Sequence, residues 1–121
     1  MKLEITKPEI HPKAWGGEKW IHNSDGYCGK ILKFNQGARF SLHAHLKVET
    51  WYINLGQLKL IYIDTDNADK HELILNKGDV IHIPFLVPHQ LIALEESEVF
   101  EVSQPHDENG SLRYEKGDSQ K

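Results

Sequence analysis

Two short segments of the sequence carry side chains that commonly bind first-row transition metals. The residues are His43, His45, Glu49 and His89. If His43 and His45 lie in one strand, both imidazoles project to the same face, because alternate side chains of a strand point the same way. Glu49 is expected to lie among large apolar residues, where an ionised carboxylate is costly unless a cation neutralises it. Three imidazoles and one carboxylate are a donor set for one divalent ion, and Zn, Mn, Ni, Co and Fe all accept it.

Such a site requires several strands to meet, and the sequence predicts an all-β protein. Glycine, proline, asparagine and aspartate recur at short intervals and separate runs rich in β-branched and aromatic residues, which is typical of a sandwich or barrel. No long segment has helical periodicity. The predicted strands are Tyr27–Phe34, Arg39–His45, Val48–Leu55, Gln57–Ile63, His71–Leu75, Val80–Ile83, Gln90–Leu94 and Val99–Ser103.

The length of 121 residues suits a single domain, whose core we expect over about residues 27–104. Residues 1–26 carry Trp15 and Trp20 and are expected to pack across the barrel. Residues 104–121 are expected to form a polar C-terminal tail with loose last residues.

Composition argues against several classes of partner. The formal charge of −4 gives no basic surface for nucleic acid, and no segment approaches the roughly 20 apolar residues of a membrane span. The single cysteine, Cys28, allows no internal disulfide, and the polar N-terminus lacks the apolar run of a signal peptide. We therefore expect a cytoplasmic protein that binds a small molecule, without nucleic acid or membrane.

The spacing of the four metal-binding residues resembles that of the cupin superfamily. The first cupin motif resembles a segment that has Gly37, then five residues, His43-Ala44-His45, then three residues, Glu49, then six residues, and Gly56. The second motif resembles Gly78, Pro84 and His89. Leu86 and Ala93 depart from it, since the family usually has glycine and often asparagine there. The resemblance implies one cupin domain over residues 1–121, folded as a double-stranded β-helix (jelly-roll barrel), with His43, His45, Glu49 and His89 as metal ligands.

The flanking segments resemble the cupin-type mannose-6-phosphate isomerases, which also form the C-terminal domain of mannose-1-phosphate guanylyltransferases. The likeness covers about residues 12–105 and includes Trp15-Gly16-Gly17-Glu18-Lys19-Trp20 and Glu49-Thr50-Trp51-Tyr52. Arg113 and Glu115 match the family's C-terminal pattern, but its final Tyr-Gly-Arg is missing. This resemblance implies aldose–ketose isomerisation of a phosphosugar, and a homodimer.

Isomerisation requires a group that accepts and returns a proton, and groups that hold the substrate. The candidates for proton transfer are Lys30, Glu101 and His82. The candidates for substrate binding are Arg113 and Arg39 for the phosphate, since a guanidinium suits bidentate oxygen contacts, and Ser41 for a sugar hydroxyl.

Other interpretations of the same residues remain open. Lys30 could lie on a solvated strand face, and His82 could be a hydrogen-bonded wall residue. His11, His22, His71 and His106 are expected to be exposed. The donor set also suits a metal-dependent dioxygenase or a non-catalytic sugar-binding cupin.

Overall fold

The structure is a computed structural model that describes residues 1–121, and it contains eleven strands and no α-helix. The only helical element is a short 3₁₀ turn, Asp118–Gln120. The structure has no helix long and apolar enough to cross a membrane. The strands are β1 Glu9–Lys13, β2 Gly16–Asn23, β3 Cys28–Phe34, β4 Leu42–His45, β5 Glu49–Leu55, β6 Gln57–Ile63, β7 Lys70–Asn76, β8 Val80–Ile83, β9 His89–Ala93, β10 Ser97–Ser103 and β11 Ser111–Glu115.

The strands form two antiparallel sheets. The six-stranded sheet has the order β1-β2-β3-β10-β5-β8, and the five-stranded sheet has the order β11-β4-β9-β6-β7. Strands that are neighbours in space are often distant in the chain, as in β3 with β10 and β4 with β11. The all-β jelly-roll barrel expected from the sequence is confirmed.

Alternation of side chains along the strands builds the core between the sheets. In β5, for example, Trp51 and Ile53 are buried while Tyr52 is exposed, because successive side chains point to opposite faces. A core cluster of fourteen buried residues results. Trp15, which precedes β2, closes one end of it by stacking on Phe34 with ring centroids 4.6 Å apart. These aromatic rings supply a large share of the buried apolar area.

Each of the eight predicted strands is present, but one of them begins late. The strand expected to start at Arg39 starts at Leu42, and Arg39 forms only an isolated bridge with Ile92. A strand over Arg39–His45 would have put Arg39 on the same face as His43, and this alternation of faces does not hold before Leu42.

Three further strands, β1, β2 and β11, were not predicted. They contain no fully buried residue, so they have no clear apolar alternation in the sequence. All three lie outside the expected core of residues 27–104, and they pair with strands of both sheets.

The C-terminal segment is hydrogen-bonded to the barrel, and the looseness expected of its last residues stays a prediction. The Asp118 carboxylate accepts a hydrogen bond from the Arg39 N–H at 2.8 Å, and the Asp118 N–H donates to the Arg39 carbonyl at 3.1 Å. Gly117 packs so closely on the backbone of Phe40 and Ser41 that a Cβ atom there would clash. A residue with a side chain could not sit at this position without moving the segment away from the barrel.

Candidate metal centre

A polar pocket of about 150 Å³ lies inside one end of the barrel. Its lining includes all four predicted metal ligands, His43, His45, Glu49 and His89. It also includes four of the six residues predicted for proton transfer or substrate binding, namely Lys30, Ser41, Glu101 and Arg113. Six strands, together with Ser41 just before β4, therefore place these predicted site residues around one cavity.

Strand pairing explains why the three histidines meet. His43 and His45 alternate on β4 and point into the barrel. His89 begins β9, which lies next to β4 and pairs directly with it at His43. One ring nitrogen from each of the three imidazoles lies within 4.8 Å of those of the other two.

Each of these imidazoles has its Nδ1 atom engaged by a neighbour. His43 Nδ1 is 2.8 Å from Ser41 Oγ, and His45 Nδ1 is 2.8 Å from Ser111 Oγ. His89 Nδ1 is 2.9 Å from the Val87 carbonyl oxygen. The carbonyl can only accept, so His89 carries its proton on Nδ1 and presents an Nε2 lone pair. This arrangement, with Nδ1 held and Nε2 free, is typical of metal-binding histidines.

The donor atoms fit a divalent ion. His89 Nε2 and Glu49 Oε1 are buried without any hydrogen-bond partner, a costly state that a bound cation would relieve. Metal–nitrogen bonds of about 2.0–2.1 Å put the nitrogens around one ion roughly 3–4 Å apart, so only small movements separate the histidine cluster from a bound geometry.

The Glu49 carboxylate lies beside the histidine cluster with its two oxygens in different surroundings. Oε2 accepts a hydrogen bond from the Trp51 indole N–H at 3.0 Å. Oε1 is 3.6 Å from His45 Nε2 and 3.5 Å from Lys47 Nζ. Glu49 can therefore bind a metal through Oε1 while the indole holds Oε2.

Burial sets the charge state of these groups. It lowers the pKa of His45 to about 3 and that of His89 to about 4. Burial, with the neighbouring imidazoles, also lowers the pKa of His43 well below its usual value. Neutral imidazoles are the metal-binding form. Burial, with a contribution from Glu101, raises the pKa of Glu49 to about 8, so a metal ion would compete with a proton for this carboxylate.

Lys47 is a buried member of the site that the sequence analysis missed. Its ammonium donates to Glu101 Oε2 at 3.1 Å and to Ser103 Oγ at 3.2 Å. Burial lowers the Lys47 pKa, but the charges of Glu101 and Glu49 outweigh that effect and raise it. Positions 43, 45, 47 and 49 follow one another at a spacing of two residues, the spacing of side chains on one face of a strand. That pattern could have identified Lys47 as a further residue that points into the pocket.

Glu101 and Lys30 lie together on the inner face of the six-stranded sheet, where their strands pair. Burial raises the pKa of Glu101, but Lys47 and Lys30 outweigh it and lower the pKa, so this carboxylate is ionised. Lys30 Nζ lies 3.0 Å from His106 Nδ1 and 3.5 Å from Glu18 Oε1. Lys30 is 3% exposed, so the alternative of a solvated strand face is wrong.

The expectation that His106 is exposed is also wrong. His106 is half-buried in the pocket wall beside Trp20, with ring centroids 4.7 Å apart. Burial, and the ammonium of Lys30, lower the pKa of His106 to about 4. The side chain of Asn23 fixes the backbone of His106, accepting from its N–H at 2.9 Å. His11 and His22 are likewise partly buried.

Arg113 lies at the pocket wall, on strand β11. Its Nε–H donates to Ser41 Oγ at 3.1 Å, and its terminal nitrogens have no hydrogen-bond partner. Both terminal nitrogens of the guanidinium therefore remain available to an anion in the pocket.

Two predicted site residues lie outside the pocket. Arg39 is exposed, because the chain leaves strand geometry between Arg39 and Leu42 and the expected alternation fails. His82 is exposed on the outer face of the six-stranded sheet, where its Nδ1 lies 2.8 Å from Thr50 Oγ1. The neighbouring Ile83 pairs with Glu49 and points inward, so His82 must point outward.

Comparisons with known proteins agree with this architecture. The family model described as cupin matches residues 22–113. A structure of oxalate decarboxylase from Bacillus subtilis at pH 4.6 superposes with a TM-score of 0.79 at 21% identity, covering 88% of this chain and 30% of that chain. A second structure of that enzyme, concerned with its Mn(II) centres, gives a TM-score of 0.78 at 20% identity over the same shares. No curated protein sequence matches.

These comparisons show the fold, and they leave the likeness to mannose-6-phosphate isomerases a prediction. The chain spans less than a third of the length of the solved structures it resembles. The family model covers most of the chain, including all four predicted metal ligands. The chain therefore belongs to the cupin family.

Proposed function

We propose that the protein is a metal-dependent cupin enzyme that isomerises a small phosphosugar between its aldose and ketose forms. The observation that carries the proposal is the combination of groups in one pocket. The pocket holds a donor set for a divalent ion, the ionised carboxylate of Glu101 and the unpaired terminal nitrogens of Arg113. The donor set consists of His43, His45, Glu49 and His89.

Glu101 is the group that we assign to proton transfer. Both of its hydrogen bonds, from Lys47 and Ser103, fall on Oε2, so Oε1 remains to accept a proton from a substrate carbon. Lys30 lies next to it and balances its charge. The divalent ion, when bound, supplies Lewis acidity to the substrate's carbonyl and hydroxyl oxygens. Proton transfer between adjacent carbons needs a base and stabilisation of charge on oxygen, and the pocket has groups for both.

Arg113 is the group that we assign to the substrate's phosphate. Its Nε–H is held by Ser41, which fixes the orientation of the guanidinium, and its terminal nitrogens are free to contact phosphate oxygens. Ser41, predicted to bind a sugar hydroxyl, also contacts His43 Nδ1, so it links the anion site to a metal ligand.

The identity of the divalent ion and the number of chains in the assembly belong to the proposal as well. Mn(II) is the first ion to test, because a solved structure with this fold is described by its Mn(II) centres. Zn, Ni, Co and Fe accept the same donors. We propose a homodimer in solution, as the family resemblance implies.

A second candidate is chemistry on a small carboxylate rather than on a phosphosugar. The pocket of about 150 Å³ is small, and most of the residues that line it are polar. The solved structures of similar fold are oxalate decarboxylases. A short carboxylate would fit such a space with its charge near Arg113.

The test is turnover by protein loaded with one divalent ion. We expect fructose 6-phosphate to form from mannose 6-phosphate in a coupled assay, and Glu101→Gln to abolish its formation while the bound metal remains. Consumption of oxalate with release of carbon dioxide would favour the second candidate. Oxygen consumption with substrate would indicate a dioxygenase, and ligand binding without turnover of any substrate would indicate a binding protein.

A further inference from the structure

Strand β11 contains no buried residue, yet one of its side chains contacts the metal centre. Ser111 pairs across the sheet with His45, and its hydroxyl lies 2.8 Å from His45 Nδ1. Neither the apolar pattern of the sequence nor the cupin motifs point to this residue.

The contact belongs to a pattern shared by all three imidazoles. Each Nδ1 has an oxygen at 2.8–2.9 Å, from Ser41, Ser111 or the Val87 carbonyl. An oxygen that accepts the Nδ1 proton fixes both the ring orientation and the tautomer that presents Nε2 to a metal. The Val87 carbonyl must act in this way, because it has no proton to give.

The position of Ser111 is defined by the fold. β11 pairs with β4 from Ser111 to Glu115, and the segment after it is fixed to the barrel by the hydrogen bonds between Asp118 and Arg39. A hydroxyl held in this way can orient His45 without rearranging when a metal binds.

We propose that Ser111 is a positioning residue for the metal centre, and that β11 is through it a part of that centre. This inference rests on the metal-dependent function proposed above. The serine hydroxyl accepts the Nδ1–H of His45 and directs Nε2 of the same ring toward the other two imidazoles. Without the hydroxyl, His45 loses its fixed tautomer and orientation, and the site binds its ion more weakly.

The experiment compares Ser111→Thr with Ser111→Val. The two side chains have nearly the same shape and both suit a strand, but only threonine has a hydroxyl. Mn(II) affinity is measured by calorimetric titration of the full chain, and the coordination environment by electron paramagnetic resonance of bound Mn(II). We expect Ser111→Val to bind Mn(II) about 10–100-fold more weakly than wild type and to alter the resonance, and Ser111→Thr to resemble wild type.

Controls separate this role from general damage. Ser119→Ala removes another hydroxyl of the pocket wall that contacts no histidine, and it should leave Mn(II) affinity unchanged. Thermal unfolding of each metal-free variant reports stability separately. Equal Mn(II) affinity of the threonine and valine variants, with wild type binding normally, would refute the role of Ser111 alone. A wild-type protein that binds no divalent ion would refute the metal centre and this inference together.

Discussion

Replacing Lys47 with methionine tests the buried charge cluster beside the metal site. The Lys47 and Glu101 side chains are only 5% and 6% exposed, and the ammonium nitrogen is 3.1 Å from the carboxylate oxygen. At an effective dielectric constant of about 20, two unit charges at that distance attract by about 5 kcal/mol. Methionine keeps the length of the side chain, so the substitution chiefly removes the charge and its hydrogen bonds.

The variant leaves the ionised carboxylate of Glu101 buried without the cation that donates to it; Glu49, with its pKa raised to about 8, adds little charge at about pH 7. Removing one partner of a buried ion pair typically costs about 3–5 kcal/mol, because the remaining charge is uncompensated. We expect Lys47→Met to lower the free energy of unfolding of the metal-free protein by that amount at about pH 7. Urea denaturation in the presence of a chelator measures it.

The pH dependence has a definite sign. The pKa of Glu101 is lowered in the folded protein, so its ion pair stabilises the fold above the unfolded value of 4.5 and this stabilisation is lost as the pH falls through the folded value. Without Lys47 the carboxyl protonates at higher pH and needs no partner. The difference in stability between wild type and variant should therefore shrink as the pH falls from about 7, and go on shrinking below 4.5 until Glu101 is protonated in the folded wild type as well.

The double variant Lys47→Met/Glu101→Gln isolates the pair. It should recover part of the stability that Lys47→Met loses, because no buried charge remains unpaired at that position. Exposed ion pairs contribute at most about 1 kcal/mol to the free energy of unfolding, so a loss below that value for Lys47→Met at about pH 7 would place this pair among them. Such a result would show that water screens this cluster, and it would contradict the reasoning.

Three further predictions concern the site and its wall. His89→Ala should abolish binding of the divalent ion measured by elemental analysis, while His82→Ala, on the outer face, should retain one ion per chain. Arg113→Ala should raise KM for a phosphorylated substrate at least about 10-fold with metal content intact, while the control Arg39→Ala leaves KM unchanged. An unchanged KM for Arg113→Ala would remove the Arg113 guanidinium from the phosphate site. The pKa of His106 is lowered from 6.5 to about 4, so wild type loses stability as the pH falls from about 6.5 toward 4, and His106→Gln should lose less over that range in urea denaturation.

The strands that bury one face were predictable from the sequence. Gln57–Ile63 and Val80–Ile83 were predicted with the bounds that the structure shows. The strands β1, β2 and β11 were not, because their places at or near sheet edges leave none of their side chains fully buried. Without a buried face, no period of two in hydrophobicity marks a strand.

By itself, the sequence determined the barrel and the residues that converge on one pocket as a candidate metal site. Alternation is a local property, and the motif spacing of His43, His45, Glu49 and His89 is carried by the order of residues alone. Only the tertiary structure decided which face of each strand points inward and where alternation stops. It excluded His82 for the first reason and Arg39 for the second.

Tertiary structure alone also decided what surrounds the predicted metal ligands. Lys47 meets Glu101, and Ser111 meets His45, across 54 and 66 residues of sequence. Such contacts depend on strand pairing and register, which are set as distant parts of the chain pack together during folding. Local periodicity carries no information about which distant strand will become a neighbour, so the groups that tune the site appear only when the sheets are assembled.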